Sequence, residues 1–67
     1  MLGTRNKILE VVVSYIKQQK EISQVSMSEI AQKADIGKST IYEYFENKDD
    51  LVRQTYLYLL DKYEEIL

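Results

Sequence analysis

The chain has 67 residues, with 11 acidic against 9 basic side chains for a formal net charge of −2, and it contains no cysteine, histidine, proline or tryptophan. A chain of this length makes one small domain, which buries only about 60% of the surface its unfolded form exposes. Without cysteine there is no disulfide or thiolate metal site, and without histidine the usual zinc ligand and general base are gone, so no enzyme, metal or cofactor chemistry is expected.

The longest apolar runs, Val11 to Val13 and Tyr56 to Leu60, fall far short of the roughly 20 residues that a membrane helix needs. The N-terminus shows no signal-peptide pattern, and the expectation is a soluble, cytoplasmic protein that does not engage a membrane. With only Gly3 and Gly37 as glycines and no low-complexity tract, nothing marks an internal linker or a β-rich fold.

In TRNKILEVVVSYIKQQ the apolar residues Ile8, Leu9, Val12, Val13 and Ile16 recur at three- and four-residue spacing, which puts them on one face of a helix over about residues 4–19. Thr4 is the expected N-cap. The valine run favours a strand, but the period is helical, and Glu10, Ser14 and Lys17 fill the outer face. KEISQV has no period and reads as a connection. Ser26-Met27-Ser28-Glu29 then forms an S-x-x-E capping box at the head of a helix over about 27–34, with Ile30, Ala31 and Ala34 facing inward. Asp35 follows where the chain must turn, and aspartate tolerates a left-handed backbone. A third helix is expected over about 38–45. Asn47 caps a fourth, with Asp49 and Asp50 at the positive end of its dipole, and this helix is expected to run through 49–67 to the C-terminus. The fold class is therefore all-α: a three-helix bundle with a helix-turn-helix in residues 1–48, and a fourth helix.

Gly37-Lys38-Ser39 has the ending of a phosphate-binding loop, but that motif needs another glycine five residues earlier, where Gln32 sits inside an apolar-periodic segment with no strand ahead of it. The spacing excludes it. At about 100° per residue, the third helix instead turns Ile41 and Phe45 to the core and Ser39, Thr40 and Glu43 outward, with Tyr42 and Tyr44 on the flanks. Small hydroxyls bordered by phenols suit a helix lying in the DNA major groove, because short side chains let the backbone approach and hydroxyls donate to phosphates on the groove walls. Core packing of the two tyrosines explains the same pattern equally well.

The charge is unusual for a nucleic-acid binder, which is ordinarily basic. Its distribution is uneven: residues 1–48 carry seven cations against six carboxylates, and residues 49–67 carry two against five. Neither part has a concentrated basic patch, so nonspecific attraction to DNA is weak.

TRNKIL followed by SMSEIAQKADIGKSTIYEYFENKDDL resembles the DNA-binding domain of TetR-type transcriptional regulators, whose pattern is a T-R-x-x-I-L start, an S-x-x-x-I-A helix, a turn, a K-x-T-[LIF]-Y-x-[YH]-F recognition helix and a [SN]-K-[DE]-x-L start to helix four. The resemblance runs from Thr4 to about Leu51. It implies that Thr40, Tyr42 and Tyr44 contact phosphates or groove edges, that Lys38 and Ser39 lie at the DNA-facing start of the recognition helix, and that Lys48 grips the backbone. Ser28 is a further candidate contact, and Arg5 reads more readily as a solvated charge. Two residues depart from the pattern. Asp35 stands where the family usually has the turn glycine, and Gly37 where a capping side chain is common; the latter costs a few tenths of a kcal/mol. Glu43 either accepts from a cytosine amino group or is held off the phosphates.

The resemblance also implies a partner set: double-stranded DNA carrying a palindromic operator, a homodimer formed through a further helical region, and a small-molecule inducer bound by that region. Repressor function is the expectation. Tyr56, Leu57, Tyr58, Leu59 and Leu60 make helix four apolar around its circumference, which a helix buried on more than one side would need. The sequence therefore reads as a fragment or truncated relative. The alternative reading is a small helical module that uses this helix for self-association or protein binding.

Overall fold

A computed structural model of the chain describes residues 3–63. Four α-helices, α1 (Thr4–Lys17), α2 (Met27–Lys33), α3 (Lys38–Tyr44) and α4 (Lys48–Tyr63), follow one another with a 3₁₀ turn at Ile22–Gln24 between the first two. The described residues contain no strand, so the chain is all-α as expected. Helix α1 packs on α4 and α2 on α3, with α1 crossing to α2 to join the two pairs.

The core consists of Ile8, Leu9, Val12 and Tyr15 from α1, Met27, Ile30, Ala31 and Ala34 around α2, Ile41 and Phe45 from the α3 segment, Leu51 from α4, and Val25 ahead of α2. Each large side chain so enclosed contributes about 1.5–3 kcal/mol relative to exposure. Tyr15, rather than Ile16, closes the α1 face; Ile16 is only partly buried. The Tyr15 hydroxyl reaches Glu29 Oε2 at 3.3 Å, which lets a polar tip leave an apolar site. The connection 20–25 is also more than a linker, since Val25 is fully buried and Ile22 packs on the core.

Helix ends follow local chemistry. The N-cap of α1 is Gly3, and Thr4 is the first helical residue; Gly3 supplies no side chain, but its carbonyl accepts from the Lys7 amide at 3.0 Å. At its other end α1 stops at Lys17 rather than 19, because Gln19 turns left-handed (φ 58) while the Lys20 amide donates back to the Tyr15 carbonyl and the Gln19 amide to Ile16. Helix α2 ends in the same way: Asp35 has φ 61, and the Ile36 and Asp35 amides donate to the carbonyls of Ala31 and Gln32. This is the paired closure of a Schellman motif. Ser26 Oγ accepts from the Glu29 amide at 3.0 Å, but the Glu29 carboxylate goes to Tyr15 rather than completing the box. Asn47 caps α4 through the Asp50 amide at 2.8 Å, and the Asp50 carboxylate takes the Glu46 amide at 3.1 Å. The extension of α4 through residues 64–67 lies outside the described residues.

Helix α4 is fastened to α1 by a polar clasp. The Tyr58 hydroxyl and the Lys62 ammonium both donate to Glu10 Oε2, the latter at 3.1 Å. Nearer the core, Thr55 is fully buried and donates its hydroxyl to the Leu51 carbonyl at 2.8 Å.

Aspartate at a left-handed position carries a steric cost that glycine lacks, and a β-branched residue carries more. Asp35→Gly is therefore expected to leave the melting temperature unchanged or raised, and Asp35→Val to cost about 1–2 kcal/mol, read by thermal denaturation followed by circular dichroism. Equal stability of the two variants would contradict the turn geometry.

The Tyr58 hydrogen bond, then the Lys62 contact, hold the Glu10 carboxyl below its ordinary 4.5, while the bond to Glu10 pushes the Tyr58 hydroxyl above 10.0 and burial does the same for Tyr15. A lowered carboxyl stabilises the fold above its unfolded value and loses that contribution as pH falls through the folded one; a raised phenol contributes below 10.0 and loses it as pH climbs. The Asp50 carboxyl, lowered chiefly by the Glu46 amide, acts in the same acid window. Glu10→Gln is expected to make the acid limb of a stability-versus-pH curve shallower without removing it. An unchanged limb would contradict the clasp.

Candidate nucleic-acid interface

Helix α3 is held by its two inward residues. Ile41 and Phe45 are 0% and 1% exposed, and their spacing of four fixes which way the short helix faces. Gly37 begins it in extended backbone, with its carbonyl accepting from the Thr40 amide at 3.1 Å and from Ile41 at 3.4 Å. A side chain at Gly37 would meet only Thr40 Oγ1, at an ordinary 3.7 Å, so no packing forbids one.

The remaining faces of α3 point away from the core. Lys38, Ser39 and Glu43 are exposed, Thr40 is half-buried, and Tyr42 and Tyr44 are each 45% exposed. No side chain among the described residues hydrogen-bonds to the side chains of these six, so four aliphatic or phenolic hydroxyls, a cation and a carboxylate stand on one short helix uncommitted to the fold. Ser28 is exposed one residue into α2. The turn set by Asp35 joins α2 to α3 as the two arms of a helix-turn-helix.

Two candidate cations have partners inside the fold. Arg5 donates to Gln54 Oε1 at 3.0 Å, and its guanidinium lies 5.8 Å from the Phe45 ring centre, which ties the start of α1 to α4 and to the end of α3. Lys48 is half-buried, and its Nζ donates to the carbonyls of Ser23 at 3.1 Å and Val25 at 2.8 Å. Sequence reasoning missed both arrangements, since no periodicity or spacing signals a long-range bond to a backbone carbonyl. No cluster of His, Cys, Asp or Glu among the described residues is arranged to hold a metal ion, and no described helix is long and apolar enough to cross a membrane.

Residues 18–55 match the model of the bacterial regulatory proteins of the tetR family, over more than half of the chain. The chain belongs to that family. No curated protein and no solved structure matches it. The matched span takes in the 3₁₀ turn, α2, α3 and the first half of α4, which is the whole helix-turn-helix with its flanks. TetR-family membership brings a DNA-binding, regulatory function, in a family that is generally not enzymatic.

The exposures separate contact residues from packing residues on α3. Ile41→Ala is expected to cost about 2–5 kcal/mol, whereas Tyr42→Ala and Tyr44→Ala cost less than about 1 kcal/mol each, measured by urea denaturation. Comparable losses in all three variants would make the tyrosines part of the core.

Proposed function

We propose that the chain is the operator-reading domain of a TetR-type repressor, binding double-stranded DNA with α3 in the major groove. The observation that carries this reading is the outward face of α3, where hydroxyls, phenols and an ammonium are uncommitted within a helix-turn-helix. Lys38 and Ser39 lead the helix onto the DNA, Thr40, Tyr42 and Tyr44 donate to phosphates or groove edges, and Ser28 adds a phosphate contact from α2. Glu43, on the outermost line, accepts from a cytosine amino group. Lys48 reaches a phosphate with the N–H that the two carbonyls leave over. Two copies bind a palindromic operator as a homodimer, with half-sites about 34 Å apart, and a small-molecule inducer releases them.

A second reading, a helical module for self-association or protein binding, is favoured by the exposure of Tyr56, Leu57 and Leu60 on α4, at 55%, 53% and 64%. Salt distinguishes the two, because phosphate contacts release counterions and an apolar contact does not.

Selection of bound sequences from a random DNA pool tests the proposal. A recurring half-site is expected to be enriched, with affinity falling steeply as salt rises. Glu43→Gln is expected to change the preferred base at one position of that half-site from cytosine pairing toward adenine. An unenriched pool would contradict the proposal, and uniformly tighter binding by Glu43→Gln would make the carboxylate a repulsive group rather than a reader.

A further inference from the structure

Lys48 is the first residue of α4, and the two carbonyls that hold its ammonium belong to residues 23 and 25, immediately ahead of the Ser26 cap of α2. The segment between them is the whole helix-turn-helix: α2, the Asp35 turn, α3 and the short link through Phe45 to Asn47. One ammonium therefore joins the entrance of this segment to its exit. We propose that Lys48 is a positioning residue for DNA reading, closing the helix-turn-helix into a hydrogen-bonded ring that sets the position of α2 and α3 together, in addition to any charge it offers the DNA.

The chemistry favours such a role. Hydrogen bonds from a charged donor are stronger than neutral ones, and carbonyls ahead of a helix, outside its ladder, have acceptor capacity to spare. Lys48 is half-buried as a residue, and of its two bonds the one to the Val25 carbonyl is partly buried and the one to Ser23 is exposed. The short helices α2 and α3, seven residues each, are also held by Met27, Ile30, Ala31 and Ile41 in the core and by the Tyr15–Glu29 hydrogen bond, but none of these contacts joins the entrance of the segment to its exit. A small displacement of α3 changes base contacts, which depend on angle and distance, more than it changes phosphate contacts, which are numerous and tolerant. Loss of the ring should therefore act on discrimination. Loss of a phosphate contact alone acts equally on all sequences.

The inference rests on the DNA-reading proposal, and its test separates the two. Lys48→Met keeps the aliphatic stem and removes the donors. Anisotropy would be measured for the selected half-site and for an unrelated duplex, at a temperature where circular dichroism shows the variant fully folded. The ratio of the two affinities is expected to fall about tenfold, the effect of one misread base pair. A ratio equal to that of the unmodified chain, with both affinities lowered alike, would reduce Lys48 to a phosphate contact, and unchanged affinities would reduce it to a stabilising residue. Should Lys48→Met fail to fold, nitrogen-15 spectroscopy of the lysine ammonium groups in the unmodified chain decides the matter. The Lys48 resonance is expected to exchange slowly with water both free and on the half-site, and rapid exchange on the half-site would overturn the proposal. Absence of any preference for the half-site by the unmodified chain would instead overturn DNA reading itself.

Discussion

The structure turns on the burial of Ile41 and Phe45. Helix α3 has only seven residues, too few to be stable alone, and these two side chains supply its anchorage in the core. Because they lie four apart, they also fix its rotation, and every other side chain of the helix is thereby turned toward solvent or the rim. The same two contacts that make α3 a helix make its outer face a surface. Everything proposed for Ser39, Thr40, Tyr42, Glu43 and Tyr44 depends on that rotation.

Around this anchor the fold spends its polar groups on fastening helices to one another. Arg5 joins α1 to α4 and to the Phe45 ring, Lys48 joins the approach to α2 with the start of α4, and Glu10 receives Tyr58 and Lys62. Of these ties, the bonds of Lys48 to Val25 and of Tyr58 to Glu10 are partly buried and contribute more than the exposed ones of Arg5, Lys62 and the Ser23 carbonyl. The arrangement also explains how a chain of net charge −2 suits DNA. Its acidic excess lies in residues 49–67, along α4 and beyond, whereas the outward face of α3 carries Lys38, one carboxylate and four hydroxyls. Recognition by hydroxyl and phenol donors needs less positive charge than attraction by a basic patch, and gives weaker nonspecific binding.

The regular parts of the fold were legible in the sequence where local chemistry decides them. Periodicity separates Ile8, Leu9 and Val12 from Glu10 and Ser14, Ser26 and Asn47 act as caps, and Asp35 takes the left-handed turn. The rotation of α3 followed from the spacing of its two apolar residues. What escaped depends on distant partners. Tyr15 is buried because Glu29 receives its hydroxyl, Gln19 turns left-handed against its own propensity to let Lys20 close α1, and Thr4 loses the cap position to Gly3 by one residue. Lys48 read only as a grip on the DNA backbone, because a bond to carbonyls 23 and 25 residues away leaves no trace in a local pattern.

The claim that α3 presents the reading surface is tested most directly by titrating the nitrogen-15-labelled chain with its selected duplex and following each backbone amide. The largest shifts are expected at Gly37 to Tyr44 and at the start of α2, with those of Tyr56, Leu57 and Leu60 nearly unmoved. Shifts concentrated on α4, with the amides of α3 unchanged, would contradict the account.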